Sequence, residues 1–145
     1  MSMRTFTVDF YGVDEVSSLL MVNDLKRFLE ENDAMETCAF RKEFPELFDE
    51  DNEFNEPVYD IVADDEGMET IFIQLVNIVY DKTGIRLDYL TADEWHGDGL
   101  GLAQAFPWGY NETERTITPK RIAEILSGLF GKDVKVDYHT FSYFW

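Results

Sequence analysis

Residues 118–144 read TPKRIAEILSGLFGKDVKVDYHTFSYF, and this stretch decides the fold class. Thr118 suits a helix N-cap, Pro119 fits the first helical position and Gly131 is placed to end the helix. Ile122, Ile125, Leu126, Leu129 and Phe130 recur at helical spacing and make one apolar face. A strand is then expected from Val134 to Phe144. Val134, Val136 and Tyr138 share one parity, whereas Phe141, Tyr143 and Trp145 share the other. That strand is therefore expected to be buried on both faces or bulged.

The same order occurs upstream. KTGIRLDYLT, from Lys82, echoes GKDVKVDYHT, from Gly131. A largely buried helix is expected from Met68 to Lys82 on Met68, Ile71, Phe72, Leu75 and Val79, with Gly84 as its terminal glycine. A strand from Ile85 to Leu90 follows, with Ile85, Leu87 and Tyr89 alternating with Arg86 and Asp88. Shared turn and strand chemistry accounts for the echo without a duplication.

Working outward, Phe6, Val8 and Phe10 alternate with polar residues and predict a strand from Met3 to Tyr11, broken by Gly12. A helix from Glu15 to Glu31 follows, with Asp14 as N-cap and Val16, Leu19, Leu20, Leu25, Phe28 and Leu29 as its stripe. Asn32 and Asp33 end it. Ala34 to Phe44 fits a strand or a short helix. Pro45 suits the start of a short helix through Leu47 and Phe48. Asp49 to Glu56 reads as a loop, and Val58 to Ala63 as a short strand. Asp64, Asp65 and Glu66 stand where acids suit a helix N-terminus. The segment 91–116, containing EWHGDGLGLAQAFPWGYNE, has no clear periodicity and reads as a functional loop or a hidden short helix or hairpin. The expected fold is α+β, one domain over residues 1–145. It has a small sheet of three to four strands packed by about three helices on one face, a long acidic segment and a long Gly/Trp-containing loop.

The 145 residues are 45% hydrophobic and 15% aromatic, enough for a core despite the charge. The single cysteine, Cys38, rules out an intramolecular disulfide and reads as a small buried hydrophobe. No run of 18 apolar residues exists, and MSMRTFTVDFYGVDE lacks the apolar stretch of a signal peptide. A cytoplasmic location is expected.

Twelve basic residues face 30 acidic ones, for a formal net charge of -18. Residues 1–66 carry a net of -14 and residues 67–145 a net of -4. The densest part, Glu43 to Glu66, holds 11 acids in 24 residues and no Lys or Arg. Such a balance argues against direct binding of nucleic acid or of an anionic membrane. Its natural complement is a basic protein or a cation.

Catalytic signals are weak. His96 with Asp93, Glu94 and Asp98 is the best catalytic or metal-binding candidate. It lacks a HExxH pattern, and a turn between Trp95 and Trp108 explains it as well. His139 falls in a strand pattern and reads as structural. Gly97, Gly99 and Gly101 lack the strand–turn–helix context of a dinucleotide fingerprint. Asp49, Asp51, Glu53 and Asn55 alternate as in an EF-hand loop. Phe54 then stands where glycine is needed, and Asp60 where a bidentate glutamate is needed. No catalytic residue, metal or cofactor is assigned.

The function expected is therefore an acidic protein-binding or inhibitory module. It engages a basic protein, such as a nucleic-acid-binding protein, a nuclease or a toxin, with nucleic-acid mimicry as one form. The expected contact residues are Glu43, Glu46, Asp49, Glu50, Asp51, Glu53, Phe54, Glu56, Asp60, Asp64, Asp65 and Glu66. Interleaved Phe44, Phe48, Phe54 and Tyr59 would anchor the segment or form a desolvated interface centre. The composition resembles that of acidic inhibitors carried by mobile elements, without a residue-level match. The alternatives are a small structural or housekeeping protein, and a metal-assisted enzyme using the 93–98 loop.

Overall fold

The computed structural model of the chain describes residues 5–49, 55–91, 97–103 and 119–144. Four antiparallel strands form one sheet: β1 (Thr5–Asp14), β2 (Asp88–Thr91), β3 (Asp98–Ala103) and β4 (Asp137–Phe144), in the order β2-β3-β1-β4. β1 is central. It pairs along Thr5↔Phe144 to Gly12↔Asp137 with β4, and along Phe10↔Ala103 to Asp14↔Gly99 with β3. β2 and β3 pair from Asp88↔Gly101 to Thr91↔Asp98.

The helices are α1 (Val16–Leu19), α2 (Val22–Glu31), α3 (Val58–Val62), α4 (Asp65–Thr83) and α5 (Pro119–Phe130). Short 3-10 turns occur at Ala39–Arg41 and Pro45–Phe48. One apolar cluster joins α1, α2, α3, α4 and α5 to Val13 of β1 and Leu100 of β3. Val13 and Leu100 are register partners, so both project to the same face of the sheet. Phe40, Phe72, Phe130, Leu25, Leu29 and Leu75 are among its fully buried members. Removing each such side chain from water is worth about 1.5–3 kcal/mol. The α+β class and the small sheet are as expected from the sequence; the sheet has four strands, all antiparallel, and the described residues form five α-helices where about three were expected.

Several local expectations change. β1 runs through Gly12 to Asp14 rather than stopping at Tyr11. Gly12 faces Gly101 across the ladder, and a Cβ at Gly12 would lie 2.0 Å from the Leu100 carbonyl oxygen. The glycine allows close backbone approach inside the strand instead of breaking it. The expected helix from Glu15 to Glu31 is two helices. Leu20 adopts extended geometry, and Met21 bridges to Pro57. Val22 N–H and Leu20 C=O bond to Glu56 C=O and Val58 N–H respectively, both at 2.9 Å. The α1 N-cap is Glu15, in left-handed geometry, rather than Asp14.

Val58 to Ala63 is helical through Val62, not a strand. Pro57 presets its start and Ala63 ends it at φ 54°. Of the two readings for Ala34 to Phe44 the strand is absent, and turns surround a short 3-10 helix at Ala39–Arg41. The segment beginning at residue 91 conceals β3, whose Leu100 and Leu102 alternate with glycines. β2 begins at Asp88 instead of Ile85, and β4 at Asp137 instead of Val134. The expected cap Thr118, residues 92–96 and 104–116 of the expected loop over 91–116, and Trp145 lie outside the described residues.

The strongest helix boundaries follow their sequence signals. Asp64 accepts from Gly67 N–H at 3.0 Å to cap α4, and Gly84 ends that helix at φ 75°. Gly131, at φ 70°, follows α5 and donates from its N–H to Ser127 C=O at 2.9 Å.

Candidate functional site

The β2–β3 hairpin places Tyr89 and Leu100 opposite one another, and Thr91 opposite Asp98. Side chains at alternate positions share a face, so Tyr89, Thr91 and Asp98 all point toward the helices. Tyr89 stacks on Phe72 of α4, with ring centroids 4.7 Å apart and an interplanar angle of 18°. That packing fixes the ring, and its hydroxyl donates to Asp98 Oδ2 at 2.5 Å.

Asp98 is the buried charged residue among those described, at 7% exposure. Besides Tyr89, it accepts from Ser17 N–H at 3.1 Å and from the Ser17 hydroxyl. Ser17 lies in the first turn of α1, where Glu15 makes no side-chain cap. Asp98 therefore caps α1 from a distant strand and satisfies the Ser17 N–H. Burial, and next the hydrogen bond to Asp98, push the Tyr89 hydroxyl far above its usual pKa. It stays protonated and acts as a donor toward Asp98.

Above this cluster opens a cleft of about 650 Å³. The approach to α1 contributes Glu15, α1 itself contributes Ser17 and Ser18, and α3 contributes Tyr59. The first turns of α4 contribute Asp65, Glu66 and Glu69. Those four acids are exposed, and among the described residues no Lys, Arg or His lines the cleft. Tyr59 is 41% exposed, one of few large apolar side chains so placed among the described residues. The N-terminal dipole of α4 favours carboxylates at Asp65 and Glu66, which explains how local charge can accumulate there.

The sequence-expected contact set is only partly gathered here. Asp65 and Glu66 line the cleft. Asp64 caps α4. Glu43, Glu46, Asp49, Glu56 and Asp60 are exposed but do not line it. Glu50, Asp51, Glu53 and Phe54 lie outside the described residues, as do Asp93, Glu94 and His96 of the alternative enzymatic site. Phe44 and Phe48 are half-buried against the core. Phe48 stacks near Phe40 and carries the Arg41 guanidinium 5.5 Å above its ring.

The sequence singles out Tyr59 as a candidate interface anchor but not Glu15, Ser17, Glu69 or Tyr89 as site residues. Their separation along the chain hides their convergence. The alternation in DGLGLA was the one available signal that Asp98 sits on a strand. Among the described residues, no group of three or more His, Cys, Asp or Glu side chains is arranged to hold a metal ion. His139 lies in β4, stacked on Phe10 with centroids 5.1 Å apart, and its Nδ1 is 3.9 Å from Asp14. Cys38 is buried, and burial raises its thiol pKa, so it is not a ready nucleophile. No protein-family model, curated protein or solved structure matches this chain.

Proposed function

We propose that the protein is a binding or inhibitory module for a basic protein, acting by occupancy and charge rather than by bond making. The observation that carries this reading is the uncompensated acidic surface around α3 and the start of α4. Among the described residues, ion pairs join Arg27 with Asp24 and Glu31, Arg41 with Glu36, and Arg121 with Glu124, and His139 of β4 lies 3.9 Å from Asp14 of β1. None reaches Glu43, Glu46, Glu56, Asp60, Asp65 or Glu66, all of which are exposed.

A surface with this charge attracts a basic partner over several ångströms and speeds encounter. Exposed Tyr59, among carboxylates, provides apolar area and a ring face for a cation. An array of carboxylates held on short helices can take the place of phosphates in a nucleic-acid-binding groove. The target class is accordingly a nucleic-acid-binding protein, a nuclease or a toxin with a cationic groove.

The test is affinity capture on the immobilised protein at low and high salt, followed by competition with duplex DNA. A specific partner should be released by salt and by DNA. It should be lost when Asp60, Asp65 and Glu66 are replaced together by Lys. Retention by the charge-reversed protein would reject this surface.

A further inference from the structure

We infer that the cleft between α1, α3, α4 and the β2–β3 hairpin is a pocket for a guanidinium, supplied by an arginine side chain of the basic partner. This rests on the binding reading above and assigns that partner's contact to one cavity. The argument begins with hydrogen-bond polarity. The protons of three hydroxyls at the cleft are already committed: Ser17 and Tyr89 donate to Asp98, and Ser18 donates to Glu15 C=O at 2.8 Å. Each oxygen keeps lone pairs but has no proton left to offer a ligand. Asp98 thus acts beneath the surface, setting the direction of the hydroxyls around it.

The wall repeats that polarity. Glu15, Asp65, Glu66 and Glu69 are acceptors when ionised, and among the described residues no basic side chain interrupts them. Tyr59 and Thr91 add hydroxyls of either polarity, but acceptors dominate this lining, and the ligand that fits it best brings several donors and a positive charge. Guanidinium has five N–H donors in a planar fork and no acceptor; it also stacks on aromatic rings, a role Tyr59 can serve. An ammonium matches the charge but not the planar fork. The cavity, at about 650 Å³, admits a whole arginine side chain with part of its backbone.

The experiment titrates isotope-labelled protein, at fixed ionic strength, with four probes. They are a blocked hexa-arginine peptide, its hexa-lysine and hexa-citrulline counterparts, and agmatine. The arginine peptide should shift the amide signals of Ser17, Glu69 and Thr91, and should bind more tightly than the lysine peptide. The citrulline peptide keeps the shape without the charge and should not bind. Replacing Glu66 and Glu69 by Gln should weaken arginine-peptide binding about tenfold. Replacing Glu43 and Glu46 by Gln should change it less than about twofold, as expected of charges remote from the contact. Circular dichroism would establish that both proteins fold.

Ser17→Ala should also weaken the peptide, because it removes one acceptor without changing charge. Agmatine shifting the same signals alongside the peptide supports the guanidinium chemistry. Agmatine binding without peptide binding would overturn the assignment to a protein side chain. Equal losses in the two double variants, or equal affinity for lysine and arginine peptides, would overturn the pocket. If salt-sensitive capture of a basic protein persists in the Glu66/Glu69 variant, the broader binding function stands and the cleft assignment falls.

Discussion

At the scale of single residues, the organising group is Asp98. It joins β3, α1 and β2 through Ser17 and Tyr89, residues 81 and 9 positions away. Tyr89→Phe keeps the stacking on Phe72 and removes one donor. It should cost about 1 kcal/mol at neutral pH, read by urea denaturation. The same substitution should alter the alkaline limb. The folded chain holds Tyr89 protonated above the range in which an unfolded tyrosine ionises, near pH 10. Its stabilising contribution is complete below that pH and declines as pH rises above it. The wild-type protein should therefore lose stability more steeply than the Tyr89→Phe variant between about pH 9.5 and 11. Parallel denaturation slopes for the two proteins would contradict this.

At the scale of elements, two sites define the frame. The β1–β3 crossing needs glycine on both strands. A Cβ at Gly101 would lie 2.2 Å from the Tyr11 carbonyl oxygen, mirroring the contact at Gly12. Gly12→Ala should destabilise by about 3 kcal/mol or more, since backbone rather than a mobile side chain must move. A melting temperature within a degree or two of wild type would show that the strands can separate without cost. For α4, Asp64→Ala removes the side-chain cap on Gly67 N–H and should cost about 1 kcal/mol. Asp64→Ser should recover most of that loss in the same denaturation assay. The split between α1 and α2 belongs to this scale too. The apolar spacing of Val16 to Leu29 suits one helix, but backbone pairing with residues 56–58 wins at Leu20 and Val22.

At the scale of the whole molecule, a net charge of -18 over 145 residues works against compactness. Raising NaCl from about 10 mM to 500 mM should raise the melting temperature by several degrees, because screening relieves the repulsion. Sodium chloride and potassium chloride should act alike if screening is the cause. A falling melting temperature would mean that local ion pairs outweigh the repulsion. The same salt that stabilises the chain should weaken its hold on a basic partner, and these opposite responses separate folding from binding. Among the described residues, no helix is long and apolar enough to cross a membrane.

The sequence by itself determined the α+β class, the glycine that ends α4, the glycine after α5 and the position of greatest negative charge; it placed acids at the start of α4 but began that helix at Met68 rather than Asp65. These depend on local spacing, on left-handed glycines at helix ends and on composition, which act over a few residues. It also placed alternating apolar residues in β1. Only the tertiary structure decided that Gly12 continues a strand, that DGLGLA is β3 and that Val58–Val62 is helical. Each of those outcomes depends on a partner far along the chain. The cleft is the clearest case. Glu15, Tyr59, Glu69 and Tyr89 carry no shared motif, and they meet because the hairpin packs against α1 and α4. Charge density could be counted from the sequence; the direction of the hydroxyl protons around Asp98 required the fold.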